Sequence, residues 1–440
     1  MYNSLKKHTS MNLILVELNE INFDVVQYYI DQGISLPAMQ HIIESGLVIT
    51  RAESEYDHLE PWIQWVSVHT GKEYSEHNVF RLGDFVNSNE KQFFEQVEEA
   101  GFKVGAISPM NATNKLNKPS YFIPDPWTQT ESDKSFMSKI ISKSIAQSVN
   151  DNSQSKLTIK TIISLIFSFF MMVRPKKYFY MIKYALSSFG KSWRKALFLD
   201  MFLFEIHLTL FKNKKPNFST IFLNAGAHIQ HHFFFNSPYV RSKELKNPSW
   251  YINENFDPML EMLIEYDRLI SDLIKQSKSE LIIATGLSQK PYTHLKFYYR
   301  LKDHKDFLDG IGINYLNVIP RMTRDFLISF ESHDEAKIAE EKLSSILVNS
   351  EEQLFGEIDN RGKDIFVVLT YPFEIKNDTY INFKDKRILL FDKVVFVAIK
   401  NGEHSSKGYA FFSKGLSEFK SDSHVSNIHG TVLDYFGIKN

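Results

Sequence analysis

The chain has 440 residues, enough for two domains or for one large α/β domain carrying insertions. Its formal net charge is −1, so no global field favours an anionic membrane or nucleic acid, and nucleic acid is not an expected partner. Cysteine is absent, which excludes disulfides, iron–sulfur clusters, thiolate zinc sites and a cysteine nucleophile, while plentiful Phe and Tyr fit a folded globular protein.

The run Met11–Val16 is too short for a signal peptide and is followed by Glu17 and Glu20. It reads as a buried first strand of a cytoplasmic protein, with Met11 a second candidate start. The pattern predicts a strand over 13–17, helices over 23–30 and 36–45, and a strand over 46–51. A helix over 61–70 is entered through Pro61 at its first turn. A helix over 93–100 and a strand over 102–107 follow. This alternation predicts an α/β fold, a mainly parallel sheet sandwiched by helices.

Residues 135–216 break the rhythm. They read as helices rich in Phe, Leu and Met, interrupted by basic clusters around Lys176, Lys195 and Lys214. The longest apolar run, Ile162–Val173, is too short to span a bilayer. A helical cap insertion is expected, with peripheral membrane contact through 160–215, or contact with a lipid-linked substrate, as the alternative. The rhythm resumes with a strand at 220–223, a helix over 258–276 and a strand over 280–285. A strand-like Arg321–Phe330 and a helix over 334–347, with Ala336, Ala339 and Leu343 on one stripe, predict a small α+β insertion. Val394–Ala398, Tyr409–Phe412 and a helix over 425–436 are expected to complete the core. The expected organisation is therefore a core of 1–134, 217–289 and 371–440, with a cap at 135–216 and an insertion at 290–370.

One stretch carries most of the chemistry. Asn224-Ala-Gly-Ala-His228-Ile-Gln-His231-His232 follows an apolar run and places three histidines in five positions. In a helix, His228 and His232 lie one turn apart, the spacing that lets two imidazoles reach one metal ion. A wet loop with packed histidines is the other reading.

Five segments in order resemble the alkaline phosphatase superfamily, which includes nucleotide pyrophosphatases, phosphodiesterases, sulfatases and phosphoglycerate mutases. They are Leu13–Asp24, similar to the opening strand with its metal-binding Asp, and Trp65-Val-Ser-Val-His-Thr70-Gly71, similar to the end of the nucleophile helix. The others are Asn224–His228, spaced like the middle Asp-x-x-x-His motif, Gly402-Glu-His404 with the Gly408 strand, and the terminal helix from Val425 to Gly437. The resemblance implies one divalent ion (zinc, manganese, magnesium or calcium) at Asn224, His228 and His404. The second ion's positions read Asn19, Glu60-Pro61 and Gly286-Leu287, so that site is absent unless Glu17, Glu20 or Glu60 rebuilds it.

At the nucleophile position Glu60 is a candidate general base or nucleophile, or merely a cap for the helix dipole. His58, with Asp57, lies just upstream and is placed in the same pocket, and Glu17 is a further candidate catalytic carboxylate. Candidate substrate contacts are Trp62, Asn19, His232 and Arg321. His69 is expected to be structural, and His231 to lie behind the site or on the surface. Pro124-Asp125-Pro126-Trp127 is a rigid turn suited to stacking a sugar ring or to packing. The expected function is a hydrolase or transferase acting on a phosphoryl-type ester of a bulky glycan or lipid-linked substrate, as in surface polysaccharide biosynthesis. The alternatives are a non-catalytic binding or scaffold protein of the same fold, and a metal-independent sugar transferase using Glu17 or Glu60.

Overall fold

The computed structural model describes residues 11–150, 158–240, 245–321, 324–383 and 386–439. The chain divides into two compact units, one of Met1–Tyr239, Asp257–Lys290 and Glu403–Asn440, the other of Val240–Phe256 and Pro291–Gly402.

The first unit begins with β1 (Leu13–Leu18), α1 (Phe23–Asp31), α2 (Pro37–Glu44) and β2 (Val48–Arg51). It continues with α3 (Pro61–Thr70), α4 (Phe93–Glu99), β3 (Val104–Ile107) and β4 (Tyr121–Ile123). Helices α5 (Phe136–Asn150), α6 (Ile159–Met172), α7 (Tyr178–Ser187) and α8 (Ser192–Lys214) precede β5 (Phe218–Leu223). Then come α9 (Ala225–Phe233), α10 (Pro258–Gln276), β6 (Glu280–Ala284), β7 (Lys407–Phe412), β8 (Ser423–His424) and α11 (Asn427–Tyr435). The eight strands form one sheet in the order β8-β2-β7-β6-β1-β5-β3-β4. Neighbouring strands are parallel except where β7 meets β6 and β2.

β1 lies between β5 and β6 and is buried at every position, which is why its sequence is a continuous run and not an alternation. Leu13, Leu15, Phe218, Phe222 and Ile282 meet Phe93 and Phe94 of α4 in the core on one side of the sheet. Each such side chain contributes about 1.5–3 kcal/mol by leaving water.

The orientation of α3 follows from two polar contacts. Trp65 Nε1 donates to Asn19 Oδ1 at 2.8 Å, and His69 Nε2 lies 3.3 Å from Glu17 Oε1. Two residues of strand advance about 6.6 Å and four residues of helix about 6 Å, so the pairs match with α3 antiparallel to β1. The N-terminus of α3 therefore reaches the edge where the strands β1, β5 and β6 end. Gly71, in the left-handed region (φ 73°), stops α3 against the His429 ring, where a Cβ would clash.

The stretch 135–216 is not one cap. Its last helix, α8, buries twelve residues, among them Phe204 and Ile206, and packs against β5, α9 and α10 as part of the layer covering the sheet. A continuous apolar pattern does not say whether a helix covers the sheet or another surface.

The second unit is larger than the expected insertion. It holds two four-stranded sheets, in the orders (Glu352–Gln353)-(Leu347–Val348)-(Tyr380–Phe383)-(Lys386–Leu389) and (Glu357–Asn360)-(Asp364–Val368)-(Asp325–Ser329)-(Asn317–Pro320). All their pairings are antiparallel. Ala336, Ala339 and Leu343 of the helix His333–Ser344 join Phe326, Ile328 and Val367 in its core. The run Val394–Ala398, expected in the main sheet, belongs to this second unit, because short apolar runs do not specify which sheet they join.

Candidate metal centre

Glu20 follows β1 on a left-handed backbone (φ 63°). Its N–H donates to Thr285 O at 3.0 Å, and its carbonyl accepts from Gln230 Nε2 at 2.7 Å, so neighbouring segments hold the strained turn on both sides. The turn directs the side chain inward, where it is 2% exposed. One carboxylate oxygen accepts from Asn19 Nδ2 at 3.1 Å, and Gln289 donates to the other.

That second oxygen lies 3.2 Å from His231 Nε2 and 3.2 Å from His404 Nε2. The two imidazole nitrogens are themselves 3.2 Å apart. Three donors thus form a nearly equilateral triangle, the single such group among the described residues. Tetrahedral ligands at about 2.0–2.1 Å from zinc stand about 3.3–3.4 Å apart, so the triangle matches one face of a tetrahedron. Two imidazoles and one carboxylate are also a donor set that leaves positions open for water or substrate. The residues present fit a divalent ion. Burial pushes the Glu20 carboxyl up, but the charges and hydrogen bonds of His404 and His231 outweigh it and hold it well below the usual range.

The three donors come from different parts of the chain. Glu20 is placed by the end of β1, His231 by α9 after β5, and His404 by the strand Val394–Ser405 that leads into β7. Glu60, the residue before α3, puts its Oε2 3.8 Å from His404 Nδ1. A carboxylate behind a ligating imidazole fixes the ring's orientation and raises its basicity. Glu60 is also 35% exposed, so its carboxylate is open to solvent as well as facing His404.

Asp200 of α8 anchors α9. Its carboxylate accepts from Ala225 N at 2.8 Å, Asn224 N at 3.2 Å and Tyr266 OH at 2.6 Å. Burial raises its carboxyl to about 6 against the opposing pull of these hydrogen bonds. Gly226 lets α9 approach Ile21 and Tyr266, since a Cβ there would lie 2.2 Å from Ile21 Cδ1.

The expected donor set of Asn224, His228 and His404 is not the one brought together. His404 is common to both sets. Asn224 turns its Oδ1 to Asn19 Nδ2 at 2.8 Å, and His228 and His232 pack edge to face with ring centroids 4.7 Å apart. Burial, with His231 beside it, lowers His228 to about 4. Helix spacing does not separate these residues, since Asn224, His228 and His231 are i, i+4 and i+7 on one stripe of α9; only the fold sets which of them meets Glu20.

Other expectations are corrected as well. Glu17 is fully buried against His69, out of reach of a substrate. Asn19 links Trp65, Asn224 and Glu20 inside the protein, supporting the site and not facing a substrate. His58 lies on the Tyr74 ring at 3.9 Å and 3.5 Å from Glu55 Oε2. Trp62 donates its Nε1 to Phe80 O at 3.1 Å and packs on the core. Arg321 is exposed in the second unit. Trp127 packs against Phe222, and the Asp125 carboxylate accepts from the backbone N–H groups of Trp127 and Thr128 in its own turn and of Asn111. Gln289 and Asp200 were not singled out from the sequence: neither lies in a motif, and only the fold brings them to Glu20 and α9.

No family model matches the chain, and no curated protein matches its sequence. Among solved structures it is similar to phosphonoacetate hydrolase from Sinorhizobium meliloti 1021 in complex with phosphonoformate, at 13% identity over 97% of this chain and 96% of that one, TM-score 0.47. It is similar to murine ectonucleotide pyrophosphatase/phosphodiesterase 5 at 9% identity over 97% and 95%, TM-score 0.40. It is also similar to the alkaline phosphatase PafA at 10% identity over 97% and 96%, TM-score 0.44. At such identities the likeness concerns the course of the chain and not its chemistry.

Proposed function

We propose that this chain is a divergent member of the alkaline phosphatase superfamily that hydrolyses or transfers a phosphoryl-type ester with one divalent ion held by Glu20, His231 and His404. The observation that carries this reading is the 3.2 Å triangle of donors at the edge of a mainly parallel sheet where β1, β5 and β6 end. That edge is where open α/β sheets place their ligands. The order of the five sequence motifs supports the same reading. Two imidazoles favour zinc over magnesium, calcium and manganese, which are suited to oxygen ligands. A bound ion there would polarise a phosphoryl oxygen and lower the pKa of a coordinated water.

The chain's own groups have separate tasks. Gln289 and Asn19 hold the Glu20 carboxylate, and the Asp200–Tyr266 pair holds α9 and with it His231. Glu60 faces the Nδ1 side of His404 from the start of α3 and would orient the ring from behind. The burial of Glu17 leaves Glu60 as the carboxylate that a metal-independent sugar transferase would use. We assign the ester to a bulky glycan or lipid-linked carrier, the substrate class that the basic and apolar stretch 160–215 suits.

Hydrolysis of an aryl phosphate and an aryl phosphodiester by protein purified without chelator tests the reading. Activity should vanish with chelator and return with zinc or manganese. Glu60→Gln should lose about 10–100-fold in metal affinity or activity, as expected of a partner behind a ligating imidazole. Full metal occupancy with no hydrolysis of either ester, or of a lipid-linked pyrophosphate, would leave a binding protein instead.

A further inference from the structure

Helix α6 is inside out. Its residues Ile159, Ile162, Ile163, Ile166, Phe167 and Phe170 recur at the spacing of one helical face, and all are exposed, from 42% to 77%. The side it buries includes Thr161 and Ser168. The following helix repeats the pattern, with Phe179 81%, Leu186 75% and, just beyond it, Phe189 92% exposed. Soluble surfaces carry single apolar side chains; an ordered stripe on consecutive helices marks an interaction surface.

The charge of the same segment says what covers it. Between Thr158 and Lys215 the two carboxylates, Asp200 and Glu205, are both buried. Lys160, Lys176, Lys183 and Lys195 are exposed, as are Lys212 and Lys214 in the last turn of α8 and Lys215 just after it. Arg174 and Arg194 are consumed by ion pairs to Glu205, Asp272 and Glu261, so the lysines remain as the outward charge. A groove of about 1090 Å³ beside the stripe continues this chemistry, lined by Phe170, Met171 and Phe211 together with Lys103, Lys212 and Lys215. No described helix is long and apolar enough to cross a membrane.

We propose that α6 and α7 dock on the surface of an anionic phospholipid bilayer, their isoleucines and phenylalanines entering the headgroup boundary and the lysines meeting lipid phosphates. An apolar stripe bordered by lysines on a chain of net charge −1 is complementary to that surface and to no neutral one. The inference stands on these helices alone and does not depend on the metal centre.

Flotation of the full chain with vesicles tests it. Vesicles containing about one third phosphatidylglycerol should carry at least tenfold more protein than pure phosphatidylcholine vesicles, and high salt should reverse the gain. The variant Ile163→Glu/Phe167→Glu/Phe170→Glu should lose at least tenfold in binding with an unchanged melting temperature, because these side chains contribute little to the core. Lys176→Glu/Lys183→Glu should weaken binding to the anionic vesicles alone, and it keeps the test readable if the apolar variant fails to fold. No binding to anionic vesicles, or binding indifferent to both variants, overturns the proposal. So does a dimer broken by the apolar variant without any vesicle binding, which would make a second copy the occupant.

Discussion

Glu20 concentrates the argument at the residue scale. A non-glycine residue in the left-handed region costs of order 1 kcal/mol, and here the cost falls on a buried carboxylate pointing at two imidazoles. Ligation of a divalent ion, as proposed, would give that arrangement a function. Glu20→Gln should therefore weaken zinc binding by more than about 100-fold, beyond the 10–100-fold expected for an outer partner such as Glu60, as titration calorimetry would read. His228→Ala should leave the affinity within about threefold, well short of the 10-fold loss that even an outer partner gives. A strong loss in His228→Ala would return the ion to the Asn224–His228 pair. His404 was legible from its place before the Gly408 strand. Glu20 was legible only as a residue able to rebuild a second ion site, and His231 only as lying behind the site or on the surface. A motif fixes spacing along the chain, whereas the left-handed turn at Glu20 comes with the fold.

At the scale of elements, two buried polar contacts set the positions of helices. The Glu17–His69 pair lies wholly inside, where removing one partner strands the other. Glu17→Ala should cost about 3–5 kcal/mol in urea unfolding and leave the metal content unchanged; a lost ion with unchanged stability would restore Glu17 to the site. Asp200 fixes α9 and gives a pH signature. Its folded carboxyl is raised to about 6 by burial, so its contribution is full below the ordinary carboxylate range and is lost as pH rises through about 6. Unfolding free energy of the wild type should fall by about 2 kcal/mol relative to Asp200→Asn between pH 4 and pH 7. A constant difference across that range would contradict the assignment. Neither contact was readable from the sequence, because each joins residues dozens of positions apart through burial alone.

At the scale of the molecule, the alternation of apolar runs and amphipathic stretches was enough to anticipate a mainly parallel sheet between helices. The extent of the second unit was not legible, since its short strands carry the same local signal as those of the main sheet. The sheet gathers donors from positions 20, 231 and 404 at one edge, so an ion there ties together segments far apart in the chain. Zinc at about 100 times its dissociation constant should add about 2.7 kcal/mol to the unfolding free energy, and His404→Ala should abolish that gain. The most direct measurement is elemental analysis of protein purified without chelator, for the wild type, His231→Ala, His404→Ala and His228→Ala. One divalent ion per chain is expected in the wild type and in His228→Ala, and none in the other two. An ion retained in His231→Ala and lost in His228→Ala, or no ion in the wild type even after zinc and manganese are added, would contradict the proposed site.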